Sequence, residues 1–176
     1  MKRVLIGGIG NVLLGDDGVG PYIVHLLDAH YEFDDVEIVD LGTPALDLID
    51  QISGRDAVIL IDSVDCGEEP GKVLLYRKED VLRVAPEVRM DPHSPALSET
   101  LLGVELFGES PKEFLLIGVA GESYEAELAL TPAVKSAVQA AIRQVLREFD
   151  RLNVAYRRRA VPAELDVWWM AGASVA

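Results

Sequence analysis

The chain has 176 residues, a formal net charge of −14 and a single cysteine, Cys66. That length fits one domain that buries most of its unfolded surface without covalent staples, and the lone cysteine excludes an internal disulfide framework and a cysteine-built zinc cluster. The acidity argues against nonspecific binding to nucleic acid or an anionic membrane, and suits a basic peptide, a protein partner or a cation.

Met1-Lys2-Arg3 leads straight into an apolar run with no signal-peptide core, and no apolar stretch approaches the roughly 18 residues of a membrane span. A soluble, cytoplasmic protein is expected. Val4-Leu5-Ile6 predicts a short buried strand. It opens into a glycine-rich loop, Gly7-Gly8-Ile9-Gly10-Asn11, that continues to Gly15-Asp16-Asp17-Gly18-Val19-Gly20. Glycines admit positive φ and the close approach of other groups to the main chain. Asp16 and Asp17 stand where the next helix begins; one can cap its free N–H groups and one is left over for a cation, and spacing alone does not say which.

Val19, Tyr22, Ile23, Leu26 and Leu27 recur at helical spacing, which predicts a helix over about 17–31. Val36 to Asp40 reads as a second strand, followed by Leu41-Gly42-Thr43-Pro44 and a helical segment around 46–52. Asp56 to Ile61 is the most apolar strand and predicts a central position, ending at Asp62-Ser63-Val64-Asp65. Lys72 to Tyr76 alternates more and belongs nearer an edge. The stretch 77–91 reads as irregular and delivers His93; Leu97, Leu101, Leu102 and Leu106 then mark a helix with Ser98, Glu99 and Thr100 turned away from its apolar side. Glu113 to Val119 is the last clear strand. Thr131-Pro132 supplies an N-cap and a first-turn proline for a helix striped by Val134, Val138, Ile142, Val145 and Phe149. Right-handed crossovers predict a three-layer α/β fold, a mostly parallel sheet with helices on both faces. Residues 1–150 form one domain on this reading. Residues 151–176, with Arg157-Arg158-Arg159 and Trp168-Trp169, lie outside the pattern, as either a partly disordered terminus or a docking segment.

In such a sheet functional groups collect beyond the carboxyl ends of the strands. Asp16 or Asp17 after the first strand, Asp62 at the central one and His93 in its loop make a candidate site of two carboxylates and one imidazole, a donor set suited to nickel or zinc with positions left open. A phosphate-binding P-loop would need a Gly-Lys pair that the loop lacks. A dinucleotide fingerprint would need a third glycine where Leu13 stands, although Asp40 has the position of a ribose-binding acid and keeps nucleotide binding open. Neither Cys66 nor any serine sits in a nucleophile motif.

Gly8-Ile9-Gly10-Asn11-Val12-Leu13-Leu14-Gly15-Asp16-Asp17-Gly18-Val19-Gly20, then Asp40-Leu41-Gly42-Thr43, Asp62 at a strand end and Pro92-His93 together resemble the hydrogenase maturation proteases. The likeness runs in order from about Lys2 to Phe149. It implies a twisted five-stranded sheet between helices, and an aspartyl-type, metal-binding endopeptidase of the cytoplasm that removes a C-terminal extension from the nickel-loaded large subunit of a nickel-iron hydrogenase. By position it assigns Asp17, Asp62 and His93 to catalysis and metal contact, Asp16 being left to the helix start, and Asp40, Gly42 and Thr43 to substrate recognition. The nickel is that of the precursor, and no nucleotide is expected. Family members often carry Glu in place of Asp17, and commonly Gln-Pro in the stretch after the strand where this chain has Gly118-Val119-Ala120-Gly121-Glu122. The alternatives are a nickel-dependent escort that binds the precursor without cutting it and a nucleotide-binding α/β protein.

Overall fold

The three most apolar segments build the centre of the sheet. In the computed structural model, which describes residues 3–83, 87–88 and 97–170, β1 (Val4–Ile9) lies between β3 (Val36–Gly42) and β4 (Ala57–Asp65), and β4 pairs on its other side with β7 (Glu113–Ala120). All three pairings are parallel. The edge beyond β7 is β5 (Val73–Arg77), an edge position as its alternation predicts, and it runs antiparallel to β7. A two-residue strand, β6 (Glu87–Val88), pairs antiparallel with Val64 and Asp65 at the end of β4.

Because successive strand residues point to opposite faces, β1 and β4 supply two cores. Val4, Ile6, Ala57, Ile59 and Ile61 face one layer of helices, α1 (Val19–His30) and α5 (Pro132–Leu152). Leu5, Ile9, Val58 and Leu60 face the other, α2 (Asp47–Ile52), α3 (Lys78–Arg83) and α4 (Leu97–Leu106). The predicted stripe of α5 is buried throughout, with Phe149 fully so. Burial of side chains of this size contributes about 1.5–3 kcal/mol each. Thr131 caps the helix by accepting from Val134 N–H, and Asn153 ends it at φ 51°, a left-handed stop.

The structure corrects three local expectations. The stretch 77–91 is not wholly irregular: it contains α3, a single short helix with Val81 as its buried residue. On α4 the buried side is Leu97, Thr100, Leu101 and Val104, so Thr100 faces inward while Leu102 and Leu106 are exposed. Finally, β4 runs on to Asp65, so Asp62 lies inside a strand. Its neighbour β1 pairs only as far as Ile61 of β4, opposite Gly8, which leaves Asp62 just beyond the last rung.

Strand order decides where a site can form. From β1 the chain crosses by α1 to β3 on one side, then by α2 to β4 on the other. The crossovers diverge at β1, so a crevice opens between the carboxyl ends of β1 and β4, the switch point at which open α/β sheets bind their ligands. Asp17 follows β1 and Asp62 lies in β4.

Residues 151–170 complete α5 and then return along α1. A small antiparallel pair joins β2 (Tyr31–Phe33) to β8 (Tyr156–Arg158) over an aromatic cluster of Tyr31, Phe33, Phe149 and Tyr156. Arg157 and Arg159 of the basic run both pair with Glu32.

Candidate active site

The glycines of the first loop bring three backbones into contact. Gly10 has φ 136°, and a Cβ there would stand 1.8 Å from the carbonyl oxygen of Asp17. A Cβ on Gly20 would stand 2.3 Å from the carbonyl oxygens of both Ile9 and Ile61. Gly20 is therefore the point at which α1 sits directly on β1 and β4. Gly20→Ala is expected to lower stability by roughly 3 kcal/mol or more, since only backbone can give way. Gly103→Ala, on α4 with nothing within 4 Å of the added methyl, is expected to raise stability by about 0.5–1 kcal/mol through helix propensity. Urea unfolding of the two variants beside the wild type checks both signs.

Asp16 and Asp17 share one 3-10 turn, Gly15–Gly18, and both are buried, yet neither caps α1. Asp16 is tied to the chain after β7. The N–H groups of Glu122 (2.8 Å) and Ser123 (3.1 Å) and the hydroxyl of Thr131 (2.9 Å) donate to its Oδ2, and Thr131 N–H donates to Oδ1 at 2.7 Å. Asp16 thus serves the start of α5, not of α1: it orients the Thr131 hydroxyl that caps that helix. Main-chain bonds from Gly15 N–H to Glu127 O (2.7 Å) and Asp16 N–H to Ser123 O (3.0 Å) complete the seam.

Asp17 faces the other way. Asn11 N–H donates to its Oδ2 at 2.7 Å, drawing the loop closed over the end of β1. Asp62 is fully buried; Ser63 N–H donates to its Oδ1 at 2.7 Å, and its Oδ2 has no hydrogen-bond partner among the described residues. Burial, and next the charge of Asp17, push the Asp62 carboxyl well above the usual carboxylate range. Two buried carboxylates, one in the turn after β1 and one in β4 with an oxygen bare among the described residues, form a place for a proton or a cation, and pKa displacement of this origin is characteristic of functional sites. The set fits a metal as two oxygen donors. His93 lies outside the described residues, and among those residues no group of three His, Cys, Asp or Glu side chains is gathered for a metal.

On the far side of β1 the Asp40 carboxylate bends the chain: Gly42 N–H donates to Asp40 Oδ1 at 2.9 Å, and Gly42 itself turns at φ 55°. Gly42 O accepts Gly10 N–H at 2.8 Å, so Asp40, Gly42 and the first loop are one hydrogen-bonded unit with Thr43 exposed beside it. His25 Nε2 lies 3.3 Å from Asp40 Oδ2. Beside Asp62, the Ser63 hydroxyl donates to Tyr124 Oη at 3.0 Å. Gly121 lies under that contact, where a Cβ would meet Tyr124 Oη at 2.4 Å and Ser63 Oγ at 2.9 Å. This accounts for a glycine in the stretch after β7. Thr131, Tyr124 and His25 belong to the site's surroundings without any sign of it in the sequence; only the Asp40-Leu41-Gly42 turn carries a local signal, an acid bonding the backbone two residues on.

Known proteins share this fold and much of this sequence. A family described as hydrogenase maturation protease matches residues 21–148. The chain is 34% identical over 164 residues to the hydrogenase 2 maturation protease of Escherichia coli strain K12, covering 92% of this chain and 97% of that protein. It is 32% identical over 163 residues to the hydrogenase expression/formation protein HupD of Bradyrhizobium diazoefficiens, covering 92% and 85%. The solved structure of the hydrogenase maturating endopeptidase HybD from Escherichia coli matches with a TM-score of 0.83 at 34% identity, over 90% of this chain and 98% of that one. The hydrogenase maturation protease HycI from Thermococcus kodakarensis, 21% identical with a TM-score of 0.68 over 85% and 93%, shares the fold. With the family matched over residues 21–148 and relatives aligned over nearly the whole length, the chain belongs to the hydrogenase maturation proteases and is an endopeptidase.

Proposed function

We propose that this endopeptidase removes the C-terminal extension of a nickel-iron hydrogenase large-subunit precursor, and that Asp17, Asp62 and His93 contact the nickel the precursor already carries. The observation that supports this most is the buried Asp17 and Asp62 pair at the switch point, with Asp62 Oδ2 bare among the described residues. Asp62, held above the usual carboxylate range by burial and by Asp17, gives up its proton less readily than an ordinary carboxyl until a cation offsets the repulsion. A cation brought by the precursor would offset that repulsion and favour two anionic oxygens facing it. A carboxylate so freed serves as a general base for water, and a metal polarises a carbonyl or a bound water. Asp40, Gly42 and Thr43 form the adjoining recognition segment, continuous with the first loop through Gly10 and Gly42. The glycines of the first loop are taken up by the protein's own backbone, whereas at Gly42 nothing lies within 4 Å of an added Cβ, which leaves space beside that turn for an incoming peptide.

The escort reading is not favoured, since the relatives are endopeptidases. Among the described residues no helix is long and apolar enough to cross a membrane; a cytoplasmic site of action is part of this proposal. Incubation with nickel-loaded and nickel-free precursor, read by mass analysis of the subunit's C-terminus, is expected to show shortening of the loaded form alone. Equal cleavage of both removes nickel from the recognition step.

A further inference from the structure

The tail after α5 returns toward the site. Arg159 N–H donates to His30 O and Ala163 N–H to Ala29 O, both at 2.8 Å, so the strand-like segment climbs α1 from its end toward its start. It arrives in a short 3-10 turn, Trp168–Met170, where Trp169 is 3% exposed. The Trp169 ring meets the His25 imidazole edge to face, centroids 5.4 Å apart. His25 Nε2 in turn lies 3.3 Å from Asp40 Oδ2, and Asp40 Oδ1 accepts Gly42 N–H at 2.9 Å. Gly42 O accepts Gly10 N–H at 2.8 Å. An unbroken series of contacts thus joins the last described turn of the chain to the first loop.

Resting on the reading of Asp40 to Thr43 as the recognition segment, we infer that the C-terminal tail is a positioning element for that segment, acting through Trp169 and His25. His25 has two jobs that compete for one rotamer: its nitrogen must reach Asp40 while its ring keeps the indole. The Trp169 ring, packed edge to face on the imidazole, keeps it beside Asp40 on this inference. With His25 held, the Asp40 carboxylate is fixed by two partners, Gly42 N–H and His25 Nε2, and cannot rotate away from the turn. Without it, the Asp40 side chain keeps only the local bond, and the Gly42 turn, at φ 55°, becomes free to open. The other tryptophan, Trp168, is 66% exposed and packs edge to face on Trp169, centroids 5.8 Å apart, but is not among the contacts that reach His25. Trp169 and His25 are positioning residues; neither is placed against the reacting atoms.

The test uses the full chain with Trp169→Ala, Trp169→Phe, His25→Ala and the double alanine variant. Amide hydrogen exchange at Gly42 and Gly10 is expected to quicken about tenfold in each alanine variant, no further in the double variant, and to stay near wild type in Trp169→Phe, which keeps a ring against His25. With nickel-loaded precursor, KM is expected to rise about tenfold while kcat holds, the loss expected of a mispositioned binding element. Unchanged exchange at both glycines overturns the inference, as does a loss spread over the whole sheet with kcat falling alongside a raised KM. If the wild type leaves the precursor uncut, the assignment of substrate fails, and the exchange result still decides whether the tail holds the Gly42 turn.

Discussion

Asp62→Asn is expected to cut precursor processing by orders of magnitude and at the same time make the protein more stable. The two effects have one cause. Asp62 is completely buried with one oxygen lacking a partner among the described residues, and the negative charge of Asp17 acts on it. A carboxylate so placed is costly when ionised, and its neutral amide isostere avoids that cost while still accepting the Ser63 N–H bond through its oxygen. A gain of about 1–3 kcal/mol at neutral pH is the usual return when a functional site's unfavourable charge is removed. The sign with pH follows from linkage. Because the folded-state value is raised above the ordinary 3.8, the folded protein binds more protons than the unfolded chain between the two values, so stability falls as pH rises through that window. The variant lacks this contribution. The stability difference between variant and wild type therefore opens above about pH 4 and grows until the raised value is passed. Cleavage, which on the role proposed for Asp62 needs the anion either as general base or facing the precursor's nickel, is expected to fall by on the order of 10²–10⁴. Urea unfolding from pH 4 to 8, paired with the precursor assay, gives both readouts. An Asp62→Asn variant that still processes, or one less stable than wild type at pH 7, contradicts the reading of Asp62 as a strained functional acid.

What can be read from residue patterns, and what cannot, divides by range of interaction. The β1, β4 and β7 segments announce themselves because a strand buried on both faces must be apolar almost throughout, as Ala57 to Ile61 is. Helix α5 is legible because its start and stripe are both local: Thr131 and Pro132, and the Val134 to Phe149 face. Helix α3 is invisible to the same reading because six residues with one buried side chain, Val81, carry no periodicity to detect. The tail strand β8 is basic and three residues long, and its pairing with Tyr31 to Phe33 depends on a partner more than 120 positions away. The same limit applies at the site. Asp40 and Gly42 form a turn visible in sequence, whereas His25, which completes Asp40's environment, and Tyr124, which reaches Ser63 across 61 positions, are assembled only by the fold. The helix-start role that local spacing allows for Asp16 is displaced by four stronger bonds to residues beyond β7.

Those four bonds make the neighbouring acid behave in the opposite sense. Asp16→Ala is expected to destabilise the protein by about 3–5 kcal/mol, the scale of breaking a buried, hydrogen-bonded charged group, where Asp62→Asn stabilises it. The size of the loss follows from the donors left behind. Asp16 is fully buried and its two oxygens collect three backbone N–H groups and one hydroxyl, from Glu122, Ser123 and Thr131. Alanine leaves all four donors facing a void too small and too enclosed for each to find a new partner. Asparagine is a graded test. With its oxygen in the place of Oδ2 it retains three of the donors, but its NH2 then confronts Thr131 N–H, donor against donor, so a cost of about 1–3 kcal/mol is expected instead. The loss also propagates. Thr131 Oγ1 both donates to Asp16 and accepts Val134 N–H, so the cap of α5 loses its orientation along with the seam to Gly15 and Glu127. Processing should fall in both variants in proportion to the loosening of residues 121–131, and lowering the temperature, which repopulates the closed loop, should recover activity in Asp16→Asn but not in Asp62→Asn. Urea unfolding with the precursor assay at two temperatures separates the acid that holds the site together from the acid that is held within it.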